Sequence, residues 1–301
     1  MEKYYWDKRI DYLLNTRNLY YNDDYLSFLV NNVWKIHSPV NIVDFGCGYG
    51  FFGLKLLPLL PKNSKYTGLD LGNELIAKAK EYFVNSPYET DFIQCDVNNF
   101  IKENSFDIAL CHALLLHISN PIKILENMKK CVLNNGKMIC FEPHWISSMA
   151  SMYLDGIEHN EIIKMDILQK LYSLDRRNTE KDGNIGIKIP IHFSKLGLKN
   201  IDCRVSDKVI FMDKNNEKKD NVKLFNSLQK DGIGIRPKEK KNFIQGLIKR
   251  GLTIEEAEKQ YNSEIKMSEL FSIESIYTWA PSMKITCGTV IKKGRTASNK
   301  R

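Results

Sequence analysis

No stretch of the 301-residue sequence approaches the ~20 consecutive apolar residues of a membrane-spanning helix, and no membrane partner is expected. The opening MEKYYWDKR is charged where a signal peptide needs its apolar core, so a cytoplasmic protein is expected. No C-x-x-C pair occurs among the seven cysteines, which are odd in number and mostly set in apolar runs such as FIQCDV and KMICFE; neither a zinc site nor a disulfide framework is signalled. Glycine (17) and proline (9) are not enriched. With 43% hydrophobic and 27% charged residues, that excludes a collagenous, mucin-like or wholly disordered chain. No internal repeat is present. The net charge of +8 is concentrated at the end: the last ten residues, KKGRTASNKR, hold five positive charges and no acid, leaving about +3 on the rest. That is too little for a phosphate-tracking surface, so nucleic acid is not expected as a partner.

The length suits one α/β domain with elaborations, near the ~250–300 residues at which a single core stops growing. From Lys3 to about His37 the pattern is helical, with Tyr25, Phe28, Leu29, Asn32 and Val33 at helical spacing and Asn22-Asp23-Asp24 as a candidate N-cap. After Pro39 the period changes. VNIVDFGCGYG is a short β-branched strand running into glycines, followed by the helix-like FFGLKLLPLL. KYTGLDLG, DFIQCDV, FDIALCHA and GKMICFEP follow as further strands, each separated by a helix-length segment. Strands alternating with helices predict a doubly wound, mostly parallel sheet. Beyond Trp145 the segment to about Pro190 reads as helices with a turn at Asp182-Gly183-Asn184. A strand is expected near 200–211, another near 282–292, and a charged helical insertion between them. The predicted organisation is therefore an N-terminal helical cap (1–38), a cofactor-binding core (39–145), a helical lid (146–195), final strands at 196–211 and 282–292, a helical insertion (212–281), and a basic tail (293–301) expected to be disordered.

A strand that ends in glycines and opens a helix brings backbone N–H groups close to a ligand with no Cβ in the way. Two registers compete here. As G-x-G-x-x-G, the glycines are Gly48, Gly50 and Gly53, with Asp70 placed 20 residues past Gly50, which suits a dinucleotide. As D-x-G-x-G-x-G, the unit is Asp44, Gly46, Gly48 and Gly50. The second register puts a carboxylate at the end of the first strand, where a pyrophosphate would be repelled and an ammonium welcomed.

At this point the chain resembles the class I S-adenosylmethionine-dependent methyltransferases, whose first motif is this acid-plus-glycines loop. The resemblance runs through YTGLD, CDV, FDIALCHALLLHISNP and LENMKKCVLNNGKMICFEP, covering residues 41–145 closely. The later DGNIGIKIPIHFSKLGLKNIDCRV is similar to small-molecule members of the ubiquinone- and menaquinone-biosynthesis type. The resemblance implies a seven-stranded Rossmann-like sheet with the 282–292 strand antiparallel between the fifth and sixth, and S-adenosylmethionine as cofactor, with S-adenosylhomocysteine as product. It implies cofactor contacts at Asp44, Gly46, Cys47, Gly48, Leu71, Val97, Cys111 and His112, with Asp70 on the ribose hydroxyls and Asp96 near the adenine amino group.

His112, ending the fourth strand, and His144, just past the fifth, are the candidate bases; for each, a neutral lining histidine is the alternative. Glu142 either accepts a substrate ammonium or caps a helix, and His117 is expected to order its loop. Tyr5, Trp6 and Tyr21, with Tyr4 and Tyr20, either face the cofactor and substrate from the N-terminal cap or pack in the core. Cys111 reads as an inert buried thiol rather than a nucleophile. The Asn/Asp-Pro-Pro-Tyr/Phe motif of members acting on base or glutamine amines is missing, and no acidic metal cluster is visible, so a small metabolite methylated on oxygen or nitrogen is expected without a metal. The rival readings are an NAD-dependent oxidoreductase and an RNA-directed or non-catalytic member of the same fold. A monomer or homodimer is expected.

Overall fold

The computed structural model describes residues 4–292; the basic tail expected at 293–301 lies outside the described residues. Seven strands form the main sheet: β1 (Asn41–Phe45), β2 (Lys65–Asp70), β3 (Glu89–Gln94), β4 (Phe106–His112), β5 (Val132–Pro143), β7 (Lys199–Val205) and β10 (Met283–Thr289). A second sheet is made of β6 (Met152–Leu154), β8 (Ile210–Met212) and β9 (Tyr277–Trp279). The main order is β3-β2-β1-β4-β5-β10-β7; β1 to β5 run parallel, and β10 is antiparallel to both neighbours, as expected.

The central strands read as apolar runs because helices cover both faces of the sheet. Val43, Phe45, Ala109, Cys111, Met138 and Cys140 pack into one core, and Ile42, Ile108, Leu110, Ile139 and Phe141 into the other. Asp44 is the one acid within β1 and is 1% exposed. A charged group placed so deep is costly unless a partner arrives, which makes the position a candidate functional one.

Four segments differ from expectation. The strand expected near 200–211 is two strands in different sheets. Ser206 ends the first: its N–H donates to the Met283 carbonyl at 2.9 Å and its hydroxyl to the Pro281 carbonyl at 2.9 Å. The chain then crosses to the N-terminal segment, where Asn22 donates to Asp207 at 2.7 Å instead of capping its own helix. The segments 146–195 and 212–281, expected to be helical, each also supply a strand to the small sheet. Both share one apolar core with Leu19 of the cap, so the two segments pack as a single lobe. The N-terminal helical pattern breaks into Ile10–Thr16 and Asp23–Phe28, flanked by tighter and wider turns.

The cap is bound at both ends. Asp7 Oδ1 accepts the Leu75 N–H at 3.1 Å at the start of the helix Asn73–Phe83. Asp231, at the end of the helix Lys218–Lys230, accepts the hydroxyls of Tyr12 (3.3 Å) and Tyr20 (2.9 Å); burial raises its carboxyl to about 6.

Candidate functional site

A cavity of about 530 Å³ opens at the C-terminal ends of β1, β2 and β4, the edge at which doubly wound sheets take ligands. The glycine loop forms its floor. Gly46 (φ +75°) packs against Leu114 so closely that a Cβ would lie 2.8 Å from that side chain. Gly48 (φ +56°) instead faces open space within the cavity wall. The N–H groups of Gly46 and Cys47 donate to the Leu69 carbonyl at 2.8 and 2.9 Å, tying the loop to β2. Gly53, the third glycine of the dinucleotide register, packs on Tyr66 and Phe83 inside the helix Phe51–Leu56.

Two carboxylates face this loop. Asp70 accepts the Gly48 N–H on Oδ2 (2.9 Å) and the Gly72 N–H on Oδ1 (2.8 Å). Burial raises its pKa, and the two amides oppose that rise. Each oxygen keeps a further lone pair for a ligand hydroxyl. Asp44 accepts the Tyr66 hydroxyl on Oδ2 at 2.5 Å, while its buried Oδ1 has no partner. Burial pushes the Asp44 carboxyl up to about 8, with the Asp70 charge adding to the rise. Asp44, Cys47 and Gly48 line an inner extension of the cavity together with Arg17.

His112 lines both the cavity and its inner end. Its Nε2 is 3.1 Å from the Tyr21 hydroxyl, and Phe52 and Phe141 box the ring in. Burial, then the Arg17 charge, hold its pKa well below 6.5, so the imidazole is neutral. The same burial raises the Tyr21 phenol well above 10.

Of the residues singled out from sequence, Gly46, Gly48, Asp70, His112, Tyr5 and Trp6 line the main cavity, and Asp44 and Cys47 its inner end. Tyr21 reaches the site through His112. Leu71 is exposed, and neither it nor Asp96, Val97 or Cys111 lines the cavity. Asp96 instead closes a turn, accepting from Asn98 and Asn99. Cys111 is an inert buried thiol 3.7 Å from Glu142.

The substrate reading of Glu142 does not hold. The side chain is fully buried, and its carboxylate accepts the N–H groups of Leu114 (3.0 Å), Leu115 (2.8 Å) and Leu116 (3.4 Å), capping the turn after β4. Burial raises it to about 7 against those donors. His144 is likewise away from the cavity, with Nδ1 2.8 Å from Ser147 Oγ. It begins the helix Trp145–Ala150 without a side-chain cap hydrogen bond and lines neither the cavity nor its inner end.

Tyr4, also considered from sequence, lines the cavity, whereas sequence reading missed Leu13, Arg17, Leu75, His117 and Lys181 as cavity residues. Trp6 packs on His117 with ring centroids 4.9 Å apart, which places the cap over the cavity mouth. Burial, followed by the Arg17 and Lys181 charges, lowers His117 to about 4. Tyr4 is pushed up to about 12 by burial and the neighbouring Asp70.

Residues 36–175 match a family described as a methyltransferase domain. The chain is 32% identical over 98 residues to malonyl-[acyl-carrier protein] O-methyltransferase 1 of Ilyobacter polytropus, covering 33% of this chain and 36% of that protein. It is 23% identical over 175 residues to a ubiquinone biosynthesis O-methyltransferase of Glaesserella parasuis, covering 55% of this chain and 69% of that one. The chain thus spans about a third of the first relative and about two thirds of the second. In fold it is similar to the YcgJ protein from Bacillus subtilis, at 12% identity and a TM-score of 0.52, covering 90% of this chain and 100% of that one. With a strand order that places one antiparallel strand between β5 and β7, the chain has the Rossmann-like methyltransferase fold, and residues 36–175 are similar to a methyltransferase domain.

Proposed function

We propose that this chain transfers the methyl group of S-adenosylmethionine to an oxygen or nitrogen of a small molecule held in the cavity above β1, β2 and β4. The observation that carries this reading is the unpartnered Oδ1 of Asp44, buried beside the glycine loop and facing the same inner space as Arg17. Among the described residues the Arg17 guanidinium makes no hydrogen bond or close ion pair, although its charge is felt by Asp231 and His112, and the residue is half-buried. A buried acceptor and an unpaired guanidinium on one small space suit the two ends of an amino acid, ammonium and carboxylate. A pyrophosphate brings no cation to the buried Asp44 oxygen and is repelled by it once ionised, which disfavours a nicotinamide dinucleotide.

On this reading Asp44 holds the cofactor's ammonium, Arg17 its carboxylate, and Asp70 the ribose hydroxyls through its free lone pairs. When bound, the cofactor supplies a methyl group already activated by its positive sulfur. The protein's work is then alignment and exclusion of water, worth up to ~7–11 kcal/mol by proximity alone. Trp6, Tyr5 and Tyr4 cover the opening. His112, neutral and oriented by Tyr21, takes the proton from the acceptor's hydroxyl or amine. Leu71, Asp96 and Val97 remain proposed for the adenine end, at the tips of β2 and β3, and no metal is assigned a role.

Calorimetry with S-adenosylmethionine, S-adenosylhomocysteine and NADH tests the proposal. Saturable binding of the first two, weakened by Asp44→Asn and by Arg17→Ala, is expected. Binding of NADH alone would overturn it in favour of hydride transfer.

A further inference from the structure

A second pocket lies in the accessory lobe, away from the glycine loop, and shares no lining residue with the cofactor cavity. It holds about 160 Å³ between the helices Met165–Thr179 and Ile254–Leu270 and the turn after Lys218–Lys230. Most of its lining residues are apolar, the three methionines Met149, Met152 and Met267 among them, while polar atoms make up nearly half of its exposed wall. Thioether side chains adapt to irregular shapes, which suits a small guest.

One corner is polar. Gln260, 4% exposed, donates from Nε2 to Glu264 Oε1 at 2.9 Å, and its own Oε1 is buried with no partner. The amide cannot turn over to relieve this, because its oxygen would then oppose the Glu264 carboxylate, acceptor against acceptor. Burial raises the Glu264 pKa, and the Gln260 hydrogen bond opposes that rise. A buried carbonyl without a donor is destabilising, and a guest bringing an N–H or O–H relieves it.

From this juxtaposition we infer a second ligand site, independent of the proposed methyl transfer, for a compact apolar molecule that ends in one hydrogen-bond-donating head. The volume limits the body to about one six-membered ring, since an apolar cavity of about 150 Å³ accommodates benzene. The head lies against Gln260 Oε1 and the body against the methionines. An amine head gains further from the Glu264 carboxylate, an alcohol head only from the amide oxygen.

Three probes of one shape test this on the full chain carrying 13C-methyl methionine: benzylamine, benzyl alcohol and toluene. The expected result is saturable shifts of the Met149, Met152 and Met267 methyl signals, with at least one donor-bearing probe binding roughly tenfold tighter than toluene. In Gln260→Leu the alcohol should fall to the affinity of toluene. Amine binding without alcohol binding assigns the head to a cation, and the reverse to a neutral donor. Absence of saturable shifts with all three probes, or equal affinity for toluene and both donors, overturns the site and leaves Gln260 satisfied by internal water only. Should Gln260→Leu fail to fold, the comparison of probes on the unaltered chain decides the matter alone.

Discussion

Asp7 and Leu75 join the N-terminal cap to the glycine-loop core: the buried Asp7 carboxylate accepts the Leu75 N–H at 3.1 Å, five residues past Asp70 in the helix that follows β2. This bond does two things. It satisfies an orphan donor at a helix start, and it fixes Tyr4, Tyr5 and Trp6 over the cavity. Asp7→Ala is expected to cost on the order of 1 kcal/mol of stability and to speed hydrogen exchange in residues 4–20. Cofactor affinity should fall with it. Unchanged exchange across the cap would show that aromatic packing alone, such as Trp6 on His117, holds it.

Asp44 predicts a proton released on binding. Its carboxyl lies at about 8, so near neutral pH it is largely protonated in the free chain. An ammonium placed on Oδ1 favours the carboxylate, and the proton goes to the buffer. Binding enthalpy should therefore vary with the ionisation enthalpy of the buffer, and affinity should fall by up to about tenfold per unit as pH drops below about 8. Stability carries the opposite sign. Because the folded pKa exceeds the unfolded one, the native state holds the proton more tightly, and stability is lost as pH rises from about 4 towards about 8. Asp44→Asn should thus raise the melting temperature of the free chain above about pH 8 while weakening the cofactor. A variant less stable than the parent there would overturn this account.

The glycine loop, Asp44, Asp70 and the order of the parallel strands were legible because each is a local signature: a β-branched run, then glycines where only positive φ fits, then a helix. Arg17 and Lys181 were not legible, since each reaches the cavity from a helix or turn far along the chain, with only tertiary docking to bring it there. Glu142 misled for a related reason. Its position at the end of β5 marks the ligand edge of the sheet, yet its partners lie 26 to 28 residues earlier in sequence. The three-residue strands of the small sheet carry too little alternation to be seen, and they pair across long separations.

Glu142 separates a structural carboxylate from a substrate contact. Glu142→Gln puts an amide where three backbone donors converge, so one N–H must meet another N–H or lose its acceptor. A loss of roughly 1–3 kcal/mol is expected from the urea unfolding midpoint, with substrate KM little changed in the folded fraction. Undiminished stability together with a raised KM for an amine acceptor would restore the ligand role.

His112 and Tyr21 form the last test, which needs the acceptor found first by a screen for methylated products. His112→Ala should lower kcat strongly, by about 10²–10⁴-fold if it takes the acceptor's proton, while S-adenosylmethionine affinity changes far less. Tyr21→Phe keeps the ring that packs on Phe52 and Phe141 but removes the hydroxyl on Nε2. It should lower kcat less than His112→Ala, because it disturbs only the orientation of the base. The pH profile distinguishes catalysis from packing. Burial and Arg17 hold the imidazole pKa well below 6.5, so the base stays unprotonated and kcat should remain level as pH falls through the usual histidine range. Arg17→Ala removes one of those causes, and the acid limb should then move to higher pH. Full kcat in both His112→Ala and Tyr21→Phe would leave alignment as the protein's sole contribution and take His112 out of the chemistry.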